Sequence, residues 1–255
     1  VGWPIAASFS EKLFRPLSRI FLPKESKAAS AVRTVNSSVL STLKDFGIPE
    51  EKIELLPSFY LDSKILVQKN EIKKDFDLVF AGRLVVNKGL DRLLAAIETL
   101  PSIRLLVIGD GPQRKYEEAH AKRLNIADRV VFVGWQSTQE EVMNAIQRAK
   151  IFVLPSKSEG GPRVALEAMA CGMPVLTTPV GVMQDTIRNG ENGLLTTGEP
   201  EDIAEKISLL LSDEDWCKKI GNEAKNILNE FNKEALVRKY AEFLQSLVHN
   251  NQTML

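Results

Sequence analysis

The amino-acid sequence predicts an α/β protein built on a doubly wound, Rossmann-like parallel sheet, and two observations carry this prediction. Short apolar runs recur between residues 76 and 178, and segments with helical spacing separate them. The runs are apolar at consecutive positions rather than at alternate ones. Continuous apolar strands are typical of a parallel sheet that helices cover on both faces.

Strands and helices alternate along this region, as a parallel sheet requires. The predicted strands cover 77–82, 104–109, 129–134, 151–155 and 174–178. The predicted helices between them cover 89–100, 112–125, 138–149 and 162–171. Pro162 is expected in the first turn of its helix, where a missing N–H is tolerated. From residue 199 onward the sequence predicts successive helices, the last over 232–248.

The first 75 residues form a separate part of the prediction. A strand over 31–36, a helix over 37–47 and a strand over 52–57 are expected, with Ser37 or Ser38 capping the helix start and Gly47 its end. One strand–helix–strand unit is too small to be a domain. The expected domains are therefore 1–57, the trailing part of a largely missing N-terminal domain; 58–75, a linker; 76–231, the second domain; and 232–255, a helix packing back towards the first domain.

Residues 11–24 combine an apolar helical face with bordering Lys and Arg side chains. Such a segment binds a membrane surface or packs on its own domain. Pro16 interrupts the pattern, which favours packing.

Composition excludes some classes of function. The 33 Lys and Arg residues balance the 33 Asp and Glu residues, so no general attraction to nucleic acid is expected. The two cysteines lack metal-ligand or redox spacing; Cys171 is expected to be a small buried residue, and a reducing compartment fits. No apolar run approaches the roughly 18 residues that a membrane span needs.

The stretch "AGRLVVNKG" (81–89) places two cations after a predicted strand. Arg83 follows Gly82 at the strand's end, and Lys88 precedes the next helix. Ligands bind beyond the carboxyl ends of strands in open parallel sheets. Two cations near a helix N-terminus suit a diphosphate.

The stretch "VIGDGPQRK" (107–115) begins like a dinucleotide-binding turn, with Gly109 and Gly111 between a strand and a helix. The third glycine position holds Arg114, and no acidic residue ends the next strand. A dehydrogenase is therefore disfavoured. A turn that grips a small ligand and a plain tight turn both remain open.

The stretch "SEGGPRVALEAMACG" (158–172) carries two glutamates. Glu159 stands before a helix N-terminus, where its charge would repel a phosphate but could accept hydroxyl donors. Glu167 stands among apolar helix residues, where an unpaired carboxylate is costly. Together with Arg83 and Lys88, the two carboxylates fit a nucleotide sugar, with hydroxyls at both ends and a diphosphate between.

These motifs resemble the C-terminal half of a family-4 retaining glycosyltransferase of the GT-B fold. The matching stretches are "GRLVVNKG", "VIGDGP", "RVVFVGW", "SEGGPRVALEAMACGMPV" and "ENGLLT", in the family's order. The resemblance covers residues 29 to 245. Glu159 and Glu167, with seven residues between them, form its most specific motif.

The resemblance implies a role for each matching position. Arg83 and Lys88 would hold the diphosphate and stabilise the departing nucleotide, and Glu159 would contact the sugar hydroxyls; these three are the expected catalytic residues. Glu167 would contact the ribose. The remaining expected donor-binding positions are Gly82, Gly109, Gly134, Trp135, Gly160, Gly161, Arg163 and Val164. The reaction would retain the anomeric configuration and need neither metal nor cofactor.

The sequence departs from the family pattern in several places. Gly160, Gly161 and Pro162 stand where Gly-Phe-Gly is frequent, and Pro162 lacks an N–H. Val182 and Asp185 stand where a glycine and a glutamate are frequent, so the sequence departs from the family pattern on the sugar side of the site. The two histidines, His120 and His249, match no family position and are expected to be inert.

Two classes of function follow. The first is a cytoplasmic hexosyltransferase, active on a glycan or lipid-linked acceptor held by the missing domain, with peripheral contact at the inner membrane face as an option. It would serve surface polysaccharide or glycolipid synthesis, and this fragment alone would be inactive. The alternative is a non-catalytic nucleotide-sugar-binding module that acts through a partner. A GT-B epimerase is disfavoured by the two glutamates with Arg83 and Lys88.

Overall fold

The computed structural model describes residues 23–62 and 72–252, with side chains as far as residue 248. Nearly all of the amphipathic segment 11–24, and half of the predicted linker 58–75, lie outside the described residues. Two compact units divide the chain: Val1–Tyr60 with Phe231–Leu255, and Leu61–Glu230.

The smaller unit contains two short parallel strands, β1 (Val32–Thr34) and β2 (Ile53–Leu55). Between them a 3₁₀ turn at Ser37–Val39 leads into helix α1 (Leu40–Asp45), and a second 3₁₀ turn covers Glu50–Lys52. The helix Lys233–Gln252 belongs to the same unit, where Lys239 Nζ lies 3.6 Å from Glu54 Oε1.

The predicted serine caps of α1 are wrong, whereas its predicted end is confirmed. Val39 occupies the N-cap position, and Ser38 Oγ lies 2.5 Å from Asn36 Oδ1 instead. Gly47 adopts φ of +69° and donates its N–H to the Lys44 carbonyl at 2.8 Å. Glycine enters this left-handed conformation without strain, which is why helices often end on it.

The larger unit contains the sheet that the sequence predicts. Its strands are β3 (Phe76–Ala81), β4 (Leu105–Ile108), β5 (Val130–Gly134), β6 (Ala149–Leu154), β7 (Val175–Thr177) and β8 (Leu194–Leu195). They lie in the order β5-β4-β3-β6-β7-β8, and every neighbouring pair is parallel. The chain winds outward from β3 to one edge and from β6 to the other, which makes the sheet doubly wound.

The α-helices after β3 are α2 (Leu90–Glu98), α3 (Arg114–Arg123), α4 (Gln139–Ile146), α5 (Arg163–Ala170), α6 (Met183–Thr186), α7 (Pro200–Ser212), α8 (Glu214–Ala224) and α9 (Ile227–Glu230), and α10 is Lys233–Gln252 of the smaller unit. Helices α2 to α6 lie between these strands, and α7 to α10 follow the last of them. Pro162 is the N-cap of α5, one residue before the predicted first turn. No helix in the part of the chain that the structure describes has the length and apolar character of a membrane span.

Burial explains why the strands are apolar throughout. Every residue of β4 and of β7 is buried, so both faces of the sheet are covered. The edge strand β5 differs, because Val131 and Val133 remain exposed. Cys217 is buried, but Cys171 is only partly buried, contrary to the prediction, and burial raises the pKa of its thiol to about 12.

Candidate functional site

The two central strands bring two predicted motifs to one edge of the sheet. β3 and β6 pair in parallel with Leu78 opposite Ile151, so their carboxyl ends lie side by side. The chain leaves these two strands in opposite directions, and the crevice at such a point is where doubly wound sheets bind ligands. The loop 82–89 follows β3, and the loop 155–162 follows β6.

Backbone contacts fix these two loops to each other. The N–H of Lys157 donates to the Asn87 carbonyl at 2.7 Å, and Asn87 Nδ2 donates to the Ser158 carbonyl at 3.1 Å. Gly89, at φ of +71°, approaches the second loop so closely that a Cβ there would lie 2.1 Å from the Pro155 oxygen. The side chains of the two loops are therefore held at a defined spacing.

Lys88 and Glu159 form an ion pair across the crevice. Lys88 Nζ donates to Oε1 of Glu159, and the two side chains are only 16% and 12% exposed. Ser156, which is fully buried, donates its hydroxyl to the same Oε1 at 2.9 Å. Among the described residues, Oε2 of Glu159 accepts no hydrogen bond.

Arg83 supplies a second cation at this edge. Its side chain is exposed and makes no hydrogen bond or ion pair with the residues that the structure describes. A guanidinium offers five N–H donors in a planar fork that matches phosphate oxygens. Lys88 and Arg83 together carry one more charge than the Glu159 carboxylate neutralises, so this edge of the sheet can attract an anion.

Glu167 is buried on α5 but does not lack partners. Its side chain is 8% exposed, and Oε1 accepts Nε of Arg163 at 2.8 Å and Nε2 of Gln139 at 2.6 Å. Burial raises the pKa of Glu167, and these two donors oppose that rise. Its second oxygen, Oε2, accepts no hydrogen bond among the described residues, so it can still accept a hydroxyl.

The first turn of α5 carries free backbone donors. Ala165 N–H donates to the carbonyl of the buried Pro162 at 2.9 Å. The N–H groups of Arg163 and Val164, which precede it, find no acceptor among the described residues. Free N–H groups in the first turn of a helix bind anions. The structure thus presents two of the predicted donor-binding positions as backbone donors.

Gly109 and Gly111 are required by close packing between loops. Gly109 has φ of +119°, and a Cβ there would lie 2.0 Å from the Gly82 oxygen. A Cβ on Gly111 would lie 2.5 Å from the Leu84 oxygen. Close approach between the loops is therefore a sufficient reason for glycine at both positions.

Arg114 stands where a dinucleotide-binding turn would have its third glycine. It forms two ion pairs, with Nη1 3.0 Å from Oδ2 of Asp110 and Nε 2.9 Å from Oε1 of Glu118. The Gly111 N–H and Arg114 lower the pKa of Asp110. A Cβ on Gly134 would lie 3.0 Å from Arg114 Nη1, and the next residue, Trp135, is 72% exposed.

The glycine pair after Glu159 leaves open space. A Cβ built on Gly160 would have no heavy atom within 4 Å. Gly181 packs beneath it, because a Cβ there would lie 2.4 Å from the Gly160 oxygen, and Val182 N–H donates to that oxygen at 3.2 Å. Gly161 lies between Gly160 and the buried Pro162 and is partly exposed.

His120 lies on α3, a helix that is polar in sequence, but its side chain is largely buried. Its side chain is 18% exposed, and Nδ1 lies 3.8 Å from Oε2 of the buried Glu117. Neither atom has a hydrogen-bond partner among the described residues. Burial raises the pKa of Glu117 to about 7 and lowers that of His120. The side chain of His249 lies outside the described residues.

Sequence reasoning missed Ser156, Asn87 and Gln139. Ser156 stands three residues before Glu159, which is a spacing at which two side chains of one loop can meet. Asn87 and Gln139 gave no such signal, because their partners are distant in sequence. Within the described ranges 23–62 and 72–252, no group of three or more His, Cys, Asp or Glu residues is placed to hold a metal ion.

This fold and this crevice define a GT-B type of domain, Rossmann-like and doubly wound. The family profile of the glycosyl transferases group 1 matches residues 62–227, and the chain belongs to that family.

Curated relatives agree with this assignment. The chain is 31% identical over 251 residues to the capsular polysaccharide biosynthesis glycosyltransferase CapM of Staphylococcus aureus, covering 93% of this chain and 61% of CapM. It is 25% identical over 238 residues to N-acetyl-alpha-D-glucosaminyl L-malate synthase of Bacillus anthracis, covering 88% and 61%. The chain thus spans less than two thirds of the length of these relatives.

Solved structures share the fold. Anabaena HepE, in complex with UDP and glucose, superposes with a TM-score of 0.82 at 21% identity, over 92% of this chain and 68% of that one. Sucrose-phosphate synthase of Thermosynechococcus elongatus gives 0.83 at 26% identity, over 92% and 62%. The C-terminal domain of a group 1 family protein, LpcC of Francisella tularensis, gives 0.60 at 24% identity, over 67% of this chain and 97% of that one.

Proposed function

We propose that this chain is the donor-binding half of a retaining glycosyltransferase that moves a sugar from a nucleotide-diphosphate sugar to a glycan or lipid-linked acceptor. The observation that carries the proposal is the ion pair between Lys88 and Glu159 at the central crevice. Arg83 is exposed in the same loop as Lys88, just after the end of β3. A cation pair for a diphosphate and a carboxylate for hydroxyls thus lie at one ligand-binding edge.

Several cations and hydrogen-bond donors are available to the central diphosphate of the nucleotide sugar. Arg83 offers an unpaired guanidinium, Lys88 an ammonium, and the first turn of α5 the N–H groups of Arg163 and Val164. Negative charge grows on the diphosphate as the bond to the sugar breaks. Cations fixed there stabilise that charge most strongly in the transition state, so Arg83 and Lys88 act electrostatically rather than as acid and base.

The hydroxyl-bearing ends of the donor meet the two carboxylates. Oε2 of Glu159 and Oε2 of Glu167 accept no bond among the described residues, so each has capacity for a hydroxyl donor. Glu159 would hold the sugar and Glu167 the ribose. The exposed Trp135, after Gly134, offers a flat surface to the base.

Two similar proteins support the general class of reaction and of donor in this proposal. CapM is named for capsular polysaccharide biosynthesis, and HepE was crystallised with UDP and glucose. Surface polysaccharide or glycolipid synthesis in the cytoplasm, at the inner face of the membrane, is the setting we infer. The acceptor would be held by a part of the protein beyond the described units, and neither metal nor cofactor is assigned a role.

Binding of donors tests the proposal directly. Thermal unfolding of the 255-residue chain would be followed with UDP-glucose, GDP-mannose, ADP-glucose and the three free diphosphates. A ligand at 100 times its Kd stabilises the folded state by about 2.7 kcal/mol, which raises Tm by several degrees. A rise with one nucleotide series supports the proposal. Unchanged Tm with all six ligands at millimolar concentration would overturn it.

A further inference from the structure

One oxygen of Glu159 serves two very different donors. Oε1 accepts both the charged Nζ of Lys88 and the neutral hydroxyl of Ser156, which lies 2.9 Å away. Lys88 reaches this oxygen on a long flexible side chain, whereas Ser156 has a single side-chain torsion to its hydroxyl. The two bonds therefore respond differently to a ligand.

The backbone around Ser156 is fixed on both sides. Its carbonyl accepts the buried hydroxyl of Thr178 at 2.5 Å, and the following residue, Lys157, donates to Asn87. Ser156 itself has no exposed surface. Its hydroxyl is thus held at one place by the end of β6, independently of any ligand.

A diphosphate competes with Glu159 for Lys88. Both are anions, and the Lys88 ammonium draws closer to a phosphate as one enters the crevice beside Arg83. The Glu159 carboxylate then loses part of its counter-charge. Ser156 carries no charge that a phosphate could attract, so its bond to Oε1 persists.

We propose that Ser156 is a positioning residue that keeps Oε1 of Glu159 in place when the donor diphosphate draws Lys88 away, so that Oε2 stays aimed at the sugar hydroxyls. This inference rests on the proposed donor site. In this role Ser156 orients the carboxylate of Glu159, which contacts the sugar. Loss of the Ser156 hydroxyl should therefore affect only ligands that carry a sugar.

The test compares a nucleotide sugar with its free diphosphate. Calorimetry on the 255-residue chain would use UDP-glucose with UDP, GDP-mannose with GDP and ADP-glucose with ADP, and the pair that binds wild type most tightly is carried forward. We expect Ser156→Ala to weaken the nucleotide sugar about tenfold, as for loss of a hydrogen bond to a charged group, and the free diphosphate less than about twofold.

Matched variants separate positioning from folding. Thr177 is also a buried residue at this edge, and its hydroxyl donates to the Leu154 carbonyl at 2.9 Å. Thr177→Val should leave the ratio of the two affinities unchanged. Ser156→Cys, nearly equal in size but a weak donor, should behave like Ser156→Ala, and Ser156→Thr should recover most of the loss.

A double-mutant cycle gives an independent readout. In a Glu159→Ala background, Ser156→Ala should cause no further loss, because its partner is gone. A full additional loss there, or equal weakening of both ligands, would overturn the role of Ser156 while leaving the donor site intact. Absence of binding by wild type to all six ligands would overturn the donor site itself, and the role of Ser156 with it.

Discussion

Arg83 and Arg104 are exposed arginines next to the central strands, but they lie at opposite edges of the sheet. Arg83 follows β3 at the carboxyl edge, whereas Arg104 precedes β4 and bonds the Asp75 carbonyl at 2.9 Å. We expect Arg83→Ala to weaken the free diphosphate about tenfold, because a charge-assisted hydrogen bond is lost. Arg104→Ala should bind like wild type in the same calorimetric titration. Equal effects of the two substitutions would remove Arg83 from the phosphate site.

Glu159 is predicted to act in opposite directions on the two kinds of ligand. Its carboxylate holds Lys88 in the unliganded crevice. Glu159→Gln removes the competing charge, so the free diphosphate should bind as well as to wild type or up to about tenfold more tightly. The nucleotide sugar should not share this gain, because its hydroxyls lose a charged acceptor. Weaker binding of the free diphosphate by this variant would contradict the competition between Glu159 and phosphate for Lys88.

Glu117 gives the larger unit a dependence on pH that is unrelated to the ligand. Burial raises the pKa of its carboxyl to about 7, while Asp91 raises it further and Lys157 and Arg123 oppose the rise. The folded state therefore holds a proton that the unfolded state releases near pH 4.5. Between these two values the unfolded state binds fewer protons, so stability falls as pH rises.

Glu117→Gln should abolish that loss. As the pH rises from 5 to 8, the free energy of unfolding of the variant, measured with urea, should increase by about 2 kcal/mol relative to that of wild type. Glu205→Gln, an exposed glutamate on α7, serves as the control and should follow wild type at both values. A constant difference between Glu117→Gln and wild type across this range would show that the buried carboxyl does not titrate there.

At the scale of secondary-structure elements, the loops at the carboxyl edge depend on two glycines for different reasons. Gly109 combines φ of +119° with a predicted Cβ contact of 2.0 Å to the Gly82 oxygen, whereas a Cβ on Gly160 meets open space. Gly109→Ala should cost at least about 2 kcal/mol of stability in urea unfolding. Gly160→Ala should leave the unfolding midpoint nearly unchanged but weaken the nucleotide sugar. Unchanged affinity of Gly160→Ala for the nucleotide sugar would show that the ligand does not use the open space at Gly160.

The elements that the sequence predicts well are those whose burial repeats along the chain. The strands from β3 to β7 and the helices between them lie within three residues of their expected bounds, and element ends are the least predictable part of a sequence-based assignment. β8 and α6 have two and four residues, too few to show a period. The predicted cap of α1 was wrong because Ser37 and Ser38 lie in a 3₁₀ turn that precedes the helix, so that Val39 becomes the N-cap residue.

At the scale of the whole molecule, topology explains which site residues could be predicted. Arg83, Lys88 and Glu159 all follow strand ends, and parallel pairing brings strand ends together without further information. Ser156 and Gln139 could not be assigned from the sequence, because their roles depend on which way a side chain points across a loop or between helices. The burial of Glu117 was hidden for the same reason, since a glutamate in a polar helix normally faces water.

The proposed donor site lies wholly within Leu61–Glu230, which is compact by itself and contains the entire six-stranded sheet. We therefore expect a chain covering residues 61–230 to fold alone and to bind the preferred nucleotide sugar with a Kd within about threefold of the 255-residue chain, because a domain with its own core is autonomous. Calorimetry would give the affinity, circular dichroism would verify folding, and Lys88→Ala in the shorter chain should remove most of the binding. A folded but non-binding 61–230 chain would contradict the assignment of the whole donor site to Leu61–Glu230.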